Sequence, residues 1–141
     1  MILYNVNKEK RVVVARFDTN GMTDHHYWRG NLRRELDRLT TNNAFYFFNE
    51  VENRIIEAGL ARADKRFVGV AKCSPEDEWN EEIGKALAKK RLLWKWNLVR
   101  LGAIEALSNE FANLIAHVNE RKYNLTSRLG KSKIQVNLHT N

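Results

Sequence analysis

Residues 67–91 read FVGVAKCSPEDEWNEEIGKALAKKR, and within them a strand pattern changes into a helix pattern. The apolar run from Phe67 to Cys73 predicts a β-strand. Ser74 followed by Pro75 is typical of a helix start, because serine can bond a free backbone N–H and proline presets a helical φ. The acidic residues that come next suit the positive end of a helix dipole. We therefore expect a strand followed by a helix that begins at Pro75.

This helix has one strongly apolar side when its sequence is projected at 100° per residue. We expect that side to be the core face, with the members Trp79, Ile83, Leu87, Trp94, Leu98 and Leu101. The opposite side gathers Lys85, Lys89, Leu92, Trp96 and Arg100. The projection thus predicts a basic surface that points away from the core.

The basic surface is our candidate ligand-binding site, and its proposed members are Lys85, Lys89, Trp96 and Arg100. Cations hold phosphates while a flat ring stacks on a base, so this combination indicates a nucleotide or a single-stranded nucleic acid. The alternative is that Trp96 packs against another subunit or the N-terminal helices, because tryptophan is more often a packing residue than a ligand platform. Both interpretations remain open from the sequence.

The remaining patterns indicate an α+β fold that is mostly helical, with a small antiparallel sheet packed against amphipathic helices. The expected strands lie at 11–17, 67–73 and 133–138, and the expected helices at 31–39, 43–58, 75–101 and 103–120, with a possible bend at Gly102. A chain of 141 residues has the size of one domain, so we expect a single domain over residues 1–141.

Apolar residues between Ile104 and Val118 recur at alternating spacings of three and four, as in a packed helix seam. The seam fits a coiled coil, and it fits an intramolecular core face equally well. Because the sheet is short relative to the amphipathic helix, we expect apolar surface to be buried between subunits of a homo-oligomer.

The net charge of +7 is concentrated in the second half of the chain. Residues 1–82 carry 13 basic and 14 acidic side chains, whereas residues 83–141 carry 11 basic and three acidic ones. Such a field attracts polyanions, so nucleic acid, a nucleotide or an acidic protein surface are the expected partners. A merely solubilising surface is the alternative.

The sequence also indicates the cellular compartment of the protein and which kinds of catalytic or metal site to expect. No apolar run approaches the length of a membrane span, and Cys73 is the only cysteine, which favours a reducing cytoplasm. The adjacent His25 and His26 lack metal-ligand spacing, and the acidic residues 76–82 suit a helix start better than Mg²⁺. No phosphate-binding loop or nucleophile motif occurs. We expect a protein that is not an enzyme and needs no metal or cofactor.

A resemblance adds to these inferences. The valine-rich strand that ends at Phe17, together with the segment GVAKCSPEDEWNEEIGKALAKKR, resembles small phage and prophage proteins of Gram-positive bacteria with a G-x-A-x-C-x-P-x-D-x-F strand-to-helix motif. The matching positions are Gly69, Ala71, Cys73, Pro75, Asp77, Gly84 and Ala88, with Trp79 in place of the usual phenylalanine. Some similar proteins are anti-defence proteins, including anti-Thoeris sponges that sequester cyclic-nucleotide signals.

The resemblance implies a phage-encoded binding protein that inhibits a bacterial defence system through its basic helical face. Its partner would be a nucleotide messenger, a nucleic acid or a host defence protein, as for a sponge or an anti-CRISPR-like inhibitor. A nucleic-acid-binding phage regulator is the alternative. An open basic face favours a nucleic acid, whereas a closed pocket favours a small messenger.

Overall fold

The computed structural model describes residues 1–39, 49–63 and 66–140, with residues 49 and 132–140 described by their backbone alone. Within these ranges, three antiparallel strands and three helices form an α+β fold that is mostly helical, which confirms the expected class. The chain divides into two compact units, Met1–Ala106 and Leu107–Asn141, which we call unit 1 and unit 2. The single domain over 1–141 stays a prediction.

The sheet of unit 1 consists of β1 (Ile2–Asn7), β2 (Val12–Phe17) and β3 (Val68–Lys72). Its order is β1-β2-β3, and both pairs are antiparallel. The sequence predicted β2 and β3 but not β1. As an edge strand β1 buries no residue completely, so its side chains lack the alternation that marks a half-buried strand.

The three helices are α1 (Asp24–Leu39), α2 (Asn49–Leu60) and α3 (Glu81–Thr140). The first starts earlier than expected, where the hydroxyl of Thr23 accepts a hydrogen bond from His26 N at 3.3 Å. The second matches the later part of the helix expected at 43–58. Residues 43–48 of that prediction lie outside the described residues.

The start of α3 corrects the expectation at Pro75. Ser74 and Pro75 form a turn, in which the Ser74 carbonyl accepts a hydrogen bond from Asp77 N at 3.1 Å. The helix begins six residues later, where Asn80 Oδ1 accepts a hydrogen bond from Ile83 N at 3.2 Å. Asn80 is therefore the N-cap, and the serine–proline signal belongs to the connection before it.

The later part of α3 brings two further corrections. One helix replaces the two expected at 75–101 and 103–120, and it continues through Gly102 without a break. The strand expected at 133–138 is helical as well. Five alternating residues are too short a pattern to distinguish a strand from the last turns of a long helix.

The side of α3 that packs in unit 1 is not the predicted one. Its buried residues are Ala88, Leu92, Val99 and Ala103, whereas Ile83, Leu87, Trp94 and Leu101 are exposed. The sheet surface beneath carries the buried residues Val13, Ala15, Gly69 and Ala71. The glycines and alanines on both surfaces let the helix approach the sheet closely, so the side of α3 with Ala88 and Ala103 faces inward and the side with Ile83 and Trp94 faces outward.

Helices α1 and α2 complete the core of unit 1. The side chains of Trp28, Leu32 and Leu36 from α1, and Ile55, Ile56 and Leu60 from α2, are buried. Glu52 is also buried, and its carboxylate accepts a hydrogen bond from Arg33 Nε at 2.8 Å. This ion pair joins the two helices and compensates the cost of burying a charge.

We expect Asn80→Ala to lower the free energy of unfolding by about 1 kcal/mol, because it removes the N-cap of α3. Ser74→Ala should change it by no more than about 0.5 kcal/mol, since among the described residues the serine hydroxyl accepts a single hydrogen bond, from the exposed Glu76 N at 3.4 Å. Urea denaturation of both variants measures the difference. A larger loss for Ser74→Ala would show that the turn, and not Asn80, controls the helix start.

Candidate nucleic-acid interface

The four residues of the predicted site lie on the packing side of α3 in unit 1. Lys85 is half-buried, forms an ion pair with Glu81 Oε2 at 3.4 Å and lies 5.8 Å from the ring centre of Tyr4. Lys89 is exposed, and it forms no ion pair with a described residue. The two lysines therefore differ, because one charge is partly neutralised within the molecule while the other is available to a ligand.

Trp96 packs inside unit 1, which favours the packing interpretation of this residue. Its ring meets Trp28 edge to face, with 5.0 Å between ring centroids, and Trp28 is only 1% exposed. With Phe17, Tyr27 and Asn31, the two tryptophans line a recess of about 120 Å³. Such edge-to-face contacts stabilise a core beyond the burial of area alone.

Arg100 is also occupied within unit 1. Its Nη2 donates to Glu35 Oε1 at 2.6 Å, and its guanidinium lies 6.0 Å from the ring centre of Trp96. This contact ties α3 to α1. The expectation that the face points away from the core is thus wrong, and only Lys89 of the four is both exposed and without an ion pair to a described residue. Ligand binding at these positions stays a prediction.

The outward side of α3 in unit 1 carries the large apolar residues that the sequence placed in the core. Trp94 is 62% exposed and Ile83 is 59% exposed. Lys90 lies one turn before Trp94 on the same side of the helix and is exposed too. On the part of α3 in unit 1, Trp94 thus presents an accessible aromatic ring next to a cation, two residues away from the predicted Trp96.

The clearest basic surface lies on α3 in unit 2. We call it the basic face; its members are His117, Arg121, Asn124, Arg128 and Lys131, all exposed and spaced by four, three, four and three residues. That spacing places them along one side of a helix. None of Arg121, Arg128 and Lys131 forms an ion pair with a described residue.

The charged residues of this segment are all basic. Residues 121–131 contain four cations, Arg121, Lys122, Arg128 and Lys131, and no acidic residue. The sequence has an excess of positive charge in this half of the chain, but the helix predicted before this segment ends at residue 120. Continuing the helical spacing past that point would have revealed the basic face.

A second region of chemical interest lies between the end of β3 and the start of α3. A cavity of about 280 Å³ there is lined by Cys73, Trp79, Leu87 and their neighbours. The Cys73 sulfur accepts a hydrogen bond from Arg11 Nη2 at 3.1 Å. The described residues hold no group of three or more His, Cys, Asp or Glu side chains placed to bind a metal ion.

Comparisons with models of known protein families, with curated proteins and with solved structures found no match to this chain. Among the described residues, none of the helices is long and apolar enough to cross a lipid bilayer.

Proposed function

We propose that the protein is a non-enzymatic binding protein that inhibits a bacterial defence system, and that it engages nucleic acid through the basic face of α3. The observation that carries the proposal is the run of exposed cations in 121–131, which includes no acidic residue. Cations along an extended helix complement the regularly spaced charges of a phosphate backbone. Asn124 adds an amide, a side chain that can also bond a base edge.

The shape of the surface favours nucleic acid over a small nucleotide messenger. A messenger sponge needs an enclosed pocket whose cations converge on one ligand. Neither the aromatic recess around Trp96 nor the cavity beside Cys73 has such a lining, since the recess has no cation and the cavity has only Lys72. The basic face is open along its length, as an elongated ligand requires.

The inhibition of a bacterial defence system is the part of the proposal that rests on the expected resemblance to phage proteins. An inhibitor that occupies the nucleic acid of a guided effector, or the surface that holds it, would need an open basic helix. In a host with a nucleic-acid-guided nuclease, production of the protein should restore phage plating. If it binds nucleic acid without restoring plating, the role of phage regulator replaces that of inhibitor.

The binding test compares two variants with equal net charge. The basic-face variant combines Arg121→Gln, Arg128→Gln and Lys131→Gln, and the control combines Lys8→Gln, Lys10→Gln and Lys72→Gln, three exposed cations of unit 1. Fluorescence anisotropy with labelled single- and double-stranded DNA gives the affinity. We expect the basic-face variant to lose about tenfold or more at low salt, and the salt slope of log K to decrease in magnitude by about 2.7 on duplex DNA.

The control variant should bind within about twofold of the unmodified protein, because the cations that it loses do not contact the DNA. It has the same net charge as the basic-face variant, so a difference in affinity between the two reports contacts at the basic face and not the overall charge. Equal losses in the two variants would mean that only the overall charge attracts DNA. No binding of the unmodified protein to DNA or RNA at 50 mM salt would refute the proposed ligand.

A further inference from the structure

The second feature of unit 2 is an apolar stripe on α3, which we define as Phe111, Ile115, Val118, Lys122, Leu125 and Leu129. Successive members are four, three, four, three and four residues apart, and five of the six are apolar. All are exposed in the single chain, with Ile115 at 60% and Leu129 at 72%. This is the seam spacing of a coiled coil, left uncovered.

The apolar stripe and the basic face are different sides of the helix. At 100° per residue, the midline of the basic face lies about 120° from the midline of the stripe. Within unit 2 the described residues form α3 alone, so the stripe has no partner element in its own unit. Its side chains are exposed, and a second helix packed along the stripe would bury them.

The distribution of charge along the stripe indicates what that partner is. Residues 107–120 contain Glu110 and Glu120 and no lysine or arginine, whereas residues 121–131 contain four cations and no acidic residue. A second copy in the parallel orientation would set the cations of both chains side by side. With the stripes in full overlap, an antiparallel copy places Glu110 of each chain beside residues 128–131 of the other, which is favourable. Glu120 lies near the midpoint, on the side of the helix away from the stripe.

The length of the helix is sufficient for such a pairing. Unit 2 includes 34 helical residues, Leu107 to Thr140, which span about 51 Å at 1.5 Å per residue. With the stripes of two antiparallel copies in full overlap, residues 107–133 of the two chains lie side by side over about 40 Å. A contact strip about 10 Å wide on each helix then buries on the order of 800 Å² in total, the size of a weak, concentration-dependent interface.

We propose that α3 of unit 2 forms an antiparallel coiled coil with the same helix of a second copy, through the apolar stripe. Full overlap of the stripe places the two-fold midpoint near residue 120, with Phe111 of each chain beside Leu129 of the other. Antiparallel pairing puts the two basic faces at opposite ends of the paired helices. This proposal goes beyond the nucleic-acid function and does not depend on it.

The first test measures assembly. Sedimentation of the unmodified protein at about 100 μM should show a dimer. The stripe variant Ile115→Lys with Leu125→Lys should be monomeric, because it buries two charges at the seam, whereas the control Asn113→Lys with Asn124→Lys adds equal charge on the opposite side and should remain dimeric. A monomeric unmodified protein, or a stripe variant that still dimerises, would overturn the proposal.

The second test measures orientation in the intact dimer. Cys73→Ser removes the native thiol, and Lys131→Cys then carries a spin label away from the stripe. In the antiparallel dimer the two labels, each about 11 residues from the midpoint, lie about 33 Å apart along the axis. Because residue 131 points away from the stripe, the labels are also about 25 Å apart across the pair, so double electron–electron resonance should give about 40 Å. A distance of about 30 Å or less would indicate a parallel pair and overturn the orientation.

Discussion

Gly69→Ala should lower the free energy of unfolding by about 3 kcal/mol, at the upper end of the cost of overpacking a core. A Cβ at residue 69 would collide with the Ala88 carbonyl oxygen and lie 2.5 Å from Leu92 N and 3.0 Å from Leu92 Cβ. Two of these atoms are backbone of α3, so a rotamer change cannot relieve the clash. Either the helix moves away from β3 or the strand moves away from β2.

A matched control is Gly30→Ala in α1, where an added Cβ meets no atom within 4 Å. Replacing an exposed helical glycine with alanine should stabilise the protein by about 0.5–1 kcal/mol. The two substitutions make the same chemical change, so urea denaturation should move their midpoints in opposite directions. Similar shifts for both would mean that α3 does not approach β3 as closely as the structure indicates.

The close approach at Gly69 also explains why the sequence predicted the sheet and the helix but not the side of the helix that packs. Hydrophobic periodicity gives weight to large side chains, so it assigned Ile83, Leu87 and Trp94 to the core. The packing depends on complementary size: Gly84 of α3 lies against Val13 of the sheet, and Ala88 lies against Gly69. The apolar periodicity of a helix does not reveal the size of the side chains on the sheet surface against which the helix packs.

The same positions give a physical explanation of the strand-to-helix motif on which the expected resemblance to phage proteins is based. Gly69, Ala71, Gly84 and Ala88 are the small residues where α3 approaches the sheet, and a Cβ at residue 84 would lie 2.8 Å from Val13 Cγ2. These positions are thus explained by packing. The resemblance therefore bears on the fold of the strand-to-helix unit, while the proposed function depends on residues beyond it, in 117–131.

The candidate site was predictable only in part. The charge asymmetry of the sequence indicated a basic second half, and the exposed cations of 121–131 agree with that. To choose the site residues within that half, one must know which side of α3 packs in the core and where the helix ends. Because the wrong side of α3 was assigned to the core, Trp96 and Arg100 were predicted to be on the surface. Because the helix was predicted to end at residue 120, the residues of the basic face were not recognised as one side of a helix.

The two tryptophans of α3 provide the most direct test of the corrected face. Trp96→Ala should lower the free energy of unfolding by about 3 kcal/mol, because it removes a ring packed against the buried Trp28 and leaves a cavity beside it. Trp94→Ala should change it by no more than about 0.5 kcal/mol, because that ring is 62% exposed.

Urea denaturation gives the free energy of unfolding of both variants. Their affinity for DNA is measured at a temperature where both are folded, so that an effect on binding is not confused with a loss of stability. If Trp94 contributes its exposed ring to the nucleic acid, Trp94→Ala weakens binding by about 1–3 kcal/mol at unchanged stability, as expected for base stacking. The reverse result, in which Trp94→Ala unfolds the protein and Trp96→Ala affects binding alone, would restore the face predicted from the sequence. Because the residues are two apart on one helix, about 200° separates them, and a single rotation of α3 exchanges the two outcomes.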